Sequence, residues 1–187
     1  MTAPSPLIVA FDGGRIRPWS RTDAAALVRH ANSPKVSRFL STRFPHPYTT
    51  ADAEAWFAFL DAQDEPEGWA IEIDGEAAGG IGIRRGAAEF AHSGELGYWL
   101  AEKHWGRGLM TRAVRAVVPV AMARAGLSRL TAYAAVDNEA SIRVLRGAGF
   151  VDEGLMRARA IRDGVAQDHR VFGLVDEAQL QRVSRNS

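Results

Sequence analysis

The segment "KHWGRGLMT" (residues 103–111) lies between a predicted strand, "ELGYWL", and a predicted helix, "RAVRAVV". Its two glycines, Gly106 and Gly108, stand where the chain turns from the strand into the helix. The backbone N–H groups at a helix N-terminus are unpaired and lie at the positive end of the macrodipole. Glycines there let an anion, usually a phosphate, approach several of these groups at once. The segment therefore predicts a phosphate-binding turn, and a tight turn without a ligand is the alternative interpretation.

The spacing of the glycines excludes two other phosphate-binding motifs. A dinucleotide fingerprint requires G-x-G-x-x-G, or alanine at its last position, whereas position 111 is Thr. A Walker loop requires G-x-x-x-x-G-K-[ST], which the chain lacks. The pattern that remains is [RQ]-x-x-G-x-[GA], in which Lys103 replaces Gln or Arg but keeps a cation at the first position.

Strand patterns occur before, between and after the helical patterns, which predicts an α/β (α+β) fold with helices packed against a mixed sheet. Asp74-Gly75 gives the strongest hairpin signal, and helices are predicted to begin near Ser20 and at Thr49. Pro119 falls inside the helix after the glycines and is expected to kink it downstream of its first two turns. We predict a single domain over residues 1–187, with a loose lead-in over residues 1–6 and a C-terminal tail over residues 177–187.

Composition excludes several functional classes. The net charge of +1 gives no basis for a nucleic-acid-binding protein. No stretch approaches the ~20 apolar residues that span a bilayer, and no secretory signal is evident, so we expect a cytoplasmic protein without a membrane partner. The absence of cysteine excludes disulfides, thiolate nucleophiles and cysteine-ligated metals. His92, His104 and His169 lack metal-ligand spacing, so we expect them at the surface or at strand ends, and we expect no metal.

The glycine segment and its surroundings resemble the GNAT superfamily of N-acetyltransferases, and in particular the branch that includes the RimJ and RimL ribosomal-protein acetyltransferases. The resemblance is carried in order by "RPWSRTDAAAL", "FPHPYTTADAEAWF", "ELGYWLAEKHWGRGLMTRAV", "AAVDNEASIRVLRGAGFVDEG" and "RDGVAQDHRVFGL", over roughly residues 15–175. It implies a single-domain GNAT-like fold with a mostly antiparallel central sheet of about seven strands, in which two central strands splay apart. It also implies acetyl-CoA as the co-substrate.

The resemblance assigns the cofactor to two parts of the chain. Backbone N–H groups from Gly106 to Met110 would cradle the pyrophosphate, with a hydroxyl from Thr111. Leu100 and Ala101 would lie near the thioester carbonyl, where a backbone N–H would stabilise the oxyanion. Asn138 would bond the pantetheine arm or hold the splayed strand. Trp105 is expected to anchor the loop in the core rather than to touch substrate. The predicted cofactor-binding residues are Leu100, Ala101, Lys103, Trp105, Gly106, Arg107, Gly108, Leu109, Met110, Thr111, Asn138 and Ser141.

Three residues are candidates for the chemistry. The resemblance assigns Glu95 as the base that deprotonates the amine through a water, Ser141 as the group that stabilises the leaving thiolate, and Tyr133 as a second candidate acid. Each also has a structural interpretation. Glu95 would pair with an arginine at the exposed start of its strand, Asn138 and Ser141 would only cap a helix, and Tyr133 would be a core residue.

The expected activity is direct transfer of an acetyl group from acetyl-CoA to a primary amine, either a protein N-terminus or a small molecule. A non-catalytic acyl-CoA-binding or interaction module on the same fold is the alternative. Homodimers are common in this branch, so the resemblance adds a second copy of the chain as a candidate partner.

Overall fold

The computed structural model describes residues 6–63 and 66–185. Eight strands and six α-helices lie within these residues. The strands are β1 (Val9–Phe11), β2 (Gly14–Arg17), β3 (Gly68–Ile73), β4 (Glu76–Arg85), β5 (Ser93–Leu100), β6 (Arg129–Ala135), β7 (Val151–Arg162) and β8 (Val165–Val175). The helices are α1 (Ala24–Ala31), α2 (Pro34–Ser37), α3 (Thr50–Asp61), α4 (Leu109–Ala125), α5 (Glu139–Gly147) and α6 (Glu177–Arg185).

The strands form one mixed sheet in the order β1-β2-β3-β4-β5-β6-β8-β7. The ladders β1–β2, β2–β3, β3–β4, β6–β8 and β7–β8 are antiparallel, and β5–β6 is parallel. The predicted fold class, a mixed and mostly antiparallel sheet with helices, is therefore confirmed. The sheet has eight strands rather than about seven because the sequence did not reveal β7.

The parallel ladder between β5 and β6 is short. It contains three register pairs and ends at Glu95 and Thr131. Strand β5 continues through Leu96 and Gly97, while β6 continues to Ala135 beside β8. The ladder thus ends while both strands continue, as expected for the splay that the resemblance implies.

Local sequence signals explain the hairpins and helix starts. Asp74 and Gly75 have φ angles of 53° and 83°, the left-handed backbone that an Asp-Gly turn between β3 and β4 requires. Ser20 begins a short 3₁₀ turn with a capping box. Thr49 does the same for α3, where its side chain accepts a bond from the Asp52 N–H and the Asp52 carboxylate accepts one from the Thr49 N–H. These predictions are confirmed.

The chain forms two compact units, residues 1–82 with 98–117, and residues 83–97 with 118–187. The core of the first unit includes the buried residues Leu27, Ala31, Tyr48, Ala53 and Phe57. The core of the second includes Leu127, Leu130, Leu145 and Phe172, each at most 1% exposed. The assignment of residues 1–187 to one domain stays a prediction.

Two features of the helices bear on the predictions. Helix α4 runs unbroken through Pro119, so its first two turns after the glycine segment are intact as expected. The segment predicted as a C-terminal tail is helical over Glu177–Arg185, and its assignment as a tail stays a prediction. Of the predicted lead-in, residues 1–5 lie outside the described residues. Within the described ranges, no helix is long and apolar enough to cross a membrane.

Candidate active site

The glycine segment connects β5 to α4 as predicted. A 3₁₀ turn over Glu102–His104 follows β5, and α4 begins at Leu109. Gly106 and Gly108 have φ angles of 73° and 69°, which side-chain-bearing residues rarely adopt. The first intrahelical bond joins the Arg112 N–H to the Gly108 carbonyl at 3.2 Å, so the N–H groups just before Arg112 are the ones a helix leaves unpaired. An exposed turn with these N–H groups has the chemistry of an anion site.

The cation of this segment is engaged by a carboxylate. The Lys103 ammonium lies 2.5 Å from Glu76 Oε1 on β4. The same carboxylate contacts the Arg29 guanidinium and His30 Nε2, the latter at 2.9 Å. Hydrogen bonds from Lys103 and then from His30 lower the pKa of Glu76 to about 2. Glu76 therefore stays ionised and fixes the segment's lysine.

Trp105 corrects one prediction about the loop. It is 44% exposed rather than buried in the core. It still restrains the turn, because its indole N–H donates to the Leu100 carbonyl at 2.7 Å. The buried residue is instead His104, which is 3% exposed and was expected at the surface or a strand end. Burial, and then the neighbouring charges of Lys103 and Arg107, lower the pKa of His104 and disfavour its charged form.

The predicted oxyanion donors lie at the end of β5. Leu100 and Ala101 are both buried. The Ala101 N–H donates to the Ala78 carbonyl of β4 at 2.8 Å. The Ala101 N–H could therefore donate to a thioester carbonyl only if its bond to the Ala78 carbonyl broke.

Glu95 lies in the second unit and is paired, as its structural interpretation requires. Its carboxylate accepts a hydrogen bond from Arg84 at 2.6 Å, and the two side chains are 39% and 67% exposed. An ion pair this exposed holds its partners weakly, typically by about 0–1 kcal/mol. The pairing therefore leaves the carboxylate available for other contacts.

Tyr133 lies on the same sheet face as Glu95. Glu95 pairs in register with Thr131, and Tyr133 is two residues further along β6. Alternation along the strand puts Thr131 and Tyr133 on one face, away from the buried Leu130 and Ala132. The Arg159 guanidinium of β7 lies 3.5 Å from the centroid of the Tyr133 ring.

Asn138 caps α5. Its side-chain oxygen accepts a hydrogen bond from the Ser141 N–H at 3.1 Å. The capping interpretation is confirmed for Asn138, while the proposed contact with the cofactor stays a prediction. Helix α5 lies against the other sheet face, because Arg146 on α5 bonds Asp152, whose register partner is the buried Phe172.

Comparisons with known proteins agree with this geometry. Residues 15–151 match the family described as Acetyltransferase (GNAT) domain. The chain belongs to the GNAT acetyltransferase family. The match contains the glycine segment, Glu95, Tyr133, Asn138 and Ser141.

Individual relatives place this GNAT member in the RimJ/RimL-like branch. It is 40% identical over 94 residues to Bacillus subtilis YjcK, described as a probable N-acetyltransferase, covering 50% of each chain. It is 28% identical over 85 residues to the ribosomal-protein-serine acetyltransferase of Escherichia coli, covering 46% of this chain and 48% of that protein. The chain thus spans about half the length of these curated relatives.

A solved structure supports the same assignment over more of the chain. Mycobacterium smegmatis RimJ, in complex with CoA-disulfide, superposes with a TM-score of 0.77 at 25% sequence identity. The superposition covers 97% of this chain and 94% of RimJ. No group of three or more metal-ligating side chains occurs within residues 6–63 and 66–185.

Two contacts near the predicted residues were not foreseen from the sequence. Glu76 binds Lys103 from 27 positions away, and Arg159 stacks on Tyr133 from a strand that the sequence did not reveal. Neither pair has a local spacing signal. Only the presence of charged residues without an assigned role points to them.

Proposed function

We propose that this GNAT protein is an acetyl-CoA-dependent N-acetyltransferase that moves an acetyl group directly to a primary amine. The observation that best supports this proposal is the exposed turn at the N-terminus of α4, which contains two glycines with positive φ and lies inside the matched family region. The oriented N–H groups of that turn would bind the pyrophosphate without a large basic cluster. Asn138 and Thr111 would add polar contacts to the cofactor.

The transfer step would require no covalent enzyme intermediate. The neutral amine attacks the thioester carbonyl, forming the C–N bond, and the C–S bond then breaks to release coenzyme A as a thiolate that takes up a proton. The absence of cysteine rules out a thioacyl-enzyme. Glu95 would accept the amine proton through a water, Ser141 would stabilise the thiolate, and Tyr133 is a second candidate proton donor.

The acceptor would be the α-amine of a protein N-terminus or a small-molecule amine. The name of the Escherichia coli relative, ribosomal-protein-serine acetyltransferase, supports a protein acceptor. A second copy of the chain is a further proposed partner, as in other members of the branch.

The test is the release of coenzyme A from acetyl-CoA, measured with a thiol reagent against short peptides, polyamines, aminoglycosides and free amino acids. The reagent is convenient because the chain contributes no thiol. Transfer to at least one class is expected. Tight binding of acetyl-CoA with no transfer to any acceptor would instead support the non-catalytic binding module.

The role of Glu95 has its own test with a matched control. Glu95→Gln should lower kcat about 100-fold or more, the lower range for losing a general base, while the Kd for acetyl-CoA stays unchanged. Arg84→Gln removes the partner but keeps the carboxylate, so kcat should be retained. Unchanged turnover in Glu95→Gln would remove this residue from the mechanism.

A further inference from the structure

We infer that Arg159 binds a carboxylate of the acceptor, and that the preferred acceptors carry this carboxylate within two residues of the amine. This inference rests on the proposed function and names the substrate class of the same site. It starts from the position of one arginine side chain over one aromatic ring.

The Arg159 guanidinium is fixed against the sheet. It lies 3.5 Å from the centroid of the Tyr133 ring, within the range of a cation–π contact. Stacking on a ring occupies one face of the guanidinium plane and leaves the edge, which carries the N–H donors, free to point outward. A planar fork of donors held by stacking is well suited to bind a carboxylate with two parallel hydrogen bonds.

The backbone around Arg159 is shaped to present this side chain. The ladder between β7 and β8 shifts register between Met156 and Ala160, so the intervening residues bulge outward. Ala158 in this bulge has a φ of 50°, which a residue with a side chain seldom adopts. The Asp168 carboxylate holds the bulge by accepting the Ala158 N–H at 2.8 Å. Backbone strain of this kind persists where surrounding contacts enforce it, and often at binding sites.

Arg159 is not used to neutralise the protein's own acidic groups. Among the residues that the structure describes, no carboxylate pairs with the Arg159 guanidinium, which lies over the Tyr133 ring. By contrast, Arg84, Arg129 and Arg170 each pair with a glutamate or aspartate. An exposed arginine that is held in place without a carboxylate is the arrangement expected where a ligand supplies the carboxylate.

The spacing to Glu95 sets where that carboxylate lies in the acceptor. Tyr133 is one strand over from Glu95 and two residues beyond its register partner, so their Cα atoms are about 8 Å apart, given ~4.8 Å between strands and ~3.3 Å per residue. Two extended residues span about 7 Å. Glu95 and the Arg159 guanidinium over Tyr133 therefore lie on one face of the sheet, with backbones about two extended residues apart. An amine directed at Glu95 and a carboxylate held by Arg159 fit a short acceptor such as a peptide with an acidic residue at its first or second position.

The test compares acceptors that differ only in the carboxylate. The pairs are peptides with Asp or Asn at the second position, and alanine against alaninamide. The wild-type protein should prefer the carboxylate member of at least one pair by about tenfold or more in kcat/KM, as expected for a charge-assisted pair of bonds. A preference confined to alanine identifies the α-carboxylate, and one confined to the peptides identifies an acidic side chain.

Two variants at this position and one control locate the effect. Arg159→Ala should abolish the preference, and the loss should appear as a higher KM for the acceptors that carry the carboxylate. Arg159→Lys should restore part of it, because an ammonium keeps the charge but not the fork. Arg157→Ala, in the same bulge, should keep the preference. A preference that survives in Arg159→Ala, or a wild type that uses both members of each pair equally, overturns the inference.

A binding measurement separates this inference from the proposed function. Calorimetry with the acetylated Asp and Asn peptides, in the presence of coenzyme A, requires no turnover. Tighter binding of the Asp peptide that is lost in Arg159→Ala supports the carboxylate site even if no acceptor reacts. Equal binding of the two peptides, together with equal binding of acetylalanine and acetylalaninamide, to the wild-type protein rejects the site even if acetyl transfer occurs.

Discussion

The substitution Glu76→Gln tests how strongly one carboxylate supports the first unit. Glu76 contacts Arg29, His30 and Lys103, and its side chain is 31% exposed. Glutamine keeps the size and one acceptor oxygen but removes the charge. The three partners are then left facing a neutral amide, so the variant should be less stable.

The size of the effect follows from the pKa of Glu76. Hydrogen bonds from Lys103 and His30 lower it from 4.5 to about 2. At about 1.36 kcal/mol per pH unit, this difference corresponds to at most about 3.4 kcal/mol of stability. Solvent screens a partly exposed pair, so we expect a loss of about 1–2 kcal/mol at pH 7.

The pH dependence has a definite sign. The pKa of Glu76 is lower in the folded protein than in the unfolded chain, so its contribution is fully present above about pH 4.5 and is lost as the pH falls through about 2. The difference in free energy of unfolding between the wild type and Glu76→Gln should therefore shrink as the pH falls below about 4.5.

Urea unfolding at several pH values measures this difference. Asp61→Asn is the matched control, because Asp61 also pairs with an arginine, Arg21, but both side chains are about two-thirds exposed. The control should change the unfolding free energy by less than about 0.5 kcal/mol. Equal stability of Glu76→Gln and the wild type at pH 7, or a difference that grows in acid, would refute the reasoning.

Two further predictions concern the loop and a helix cap. Gly108→Val should weaken acetyl-CoA binding at least about tenfold in calorimetry, since a β-branched residue is strained at a φ of 69°. The control is Gly126→Val, at a φ of 66° beyond the other end of α4, which should lower the stability of the protein but keep its affinity for acetyl-CoA. Unchanged affinity in the first variant would reject the phosphate cradle. Thr49→Ala should lower the free energy of unfolding by about 1 kcal/mol, and with it the melting temperature, because the α3 cap is lost. Thr50→Ala should have little effect on either. Equal melting temperatures for the two threonine variants would contradict the capping assignment.

The parts of the fold that the sequence predicted depend on short-range chemistry. The Asp74-Gly75 hairpin and the Thr49 cap involve residues at most three positions apart. Strand β7 was missed because its alternation is interrupted over residues 155–159, where every side chain is exposed. Two irregularities interrupt its pairing, and Leu155 and Met156 are both well exposed. A strand without period-two burial has no clear signature in the sequence.

In the candidate site, too, the features set by neighbouring residues were predicted and those set by distant residues were not. Its glycine turn was predicted because strand, glycines and helix follow one another in the chain. The environments of the side chains were not predicted, because they depend on residues that are distant in the sequence. Lys103 gave no sign that Glu76 engages it, and Trp105 was expected in the core because large aromatic residues usually are. The indole bond from Trp105 to the Leu100 carbonyl is likewise a contact that no sequence pattern encodes.

The two arginines on the Glu95 face have different consequences for function. Arg84 is 67% exposed and contacts Glu95 from the neighbouring strand, so the pair is weak and the carboxylate can exchange Arg84 for a water. Arg159 contacts a ring rather than a carboxylate, so it has charge to offer a ligand. The structural and catalytic interpretations of Glu95 are therefore compatible. Removing Arg84 should leave both turnover and acceptor preference intact, whereas removing Arg159 should abolish the preference for carboxylate acceptors.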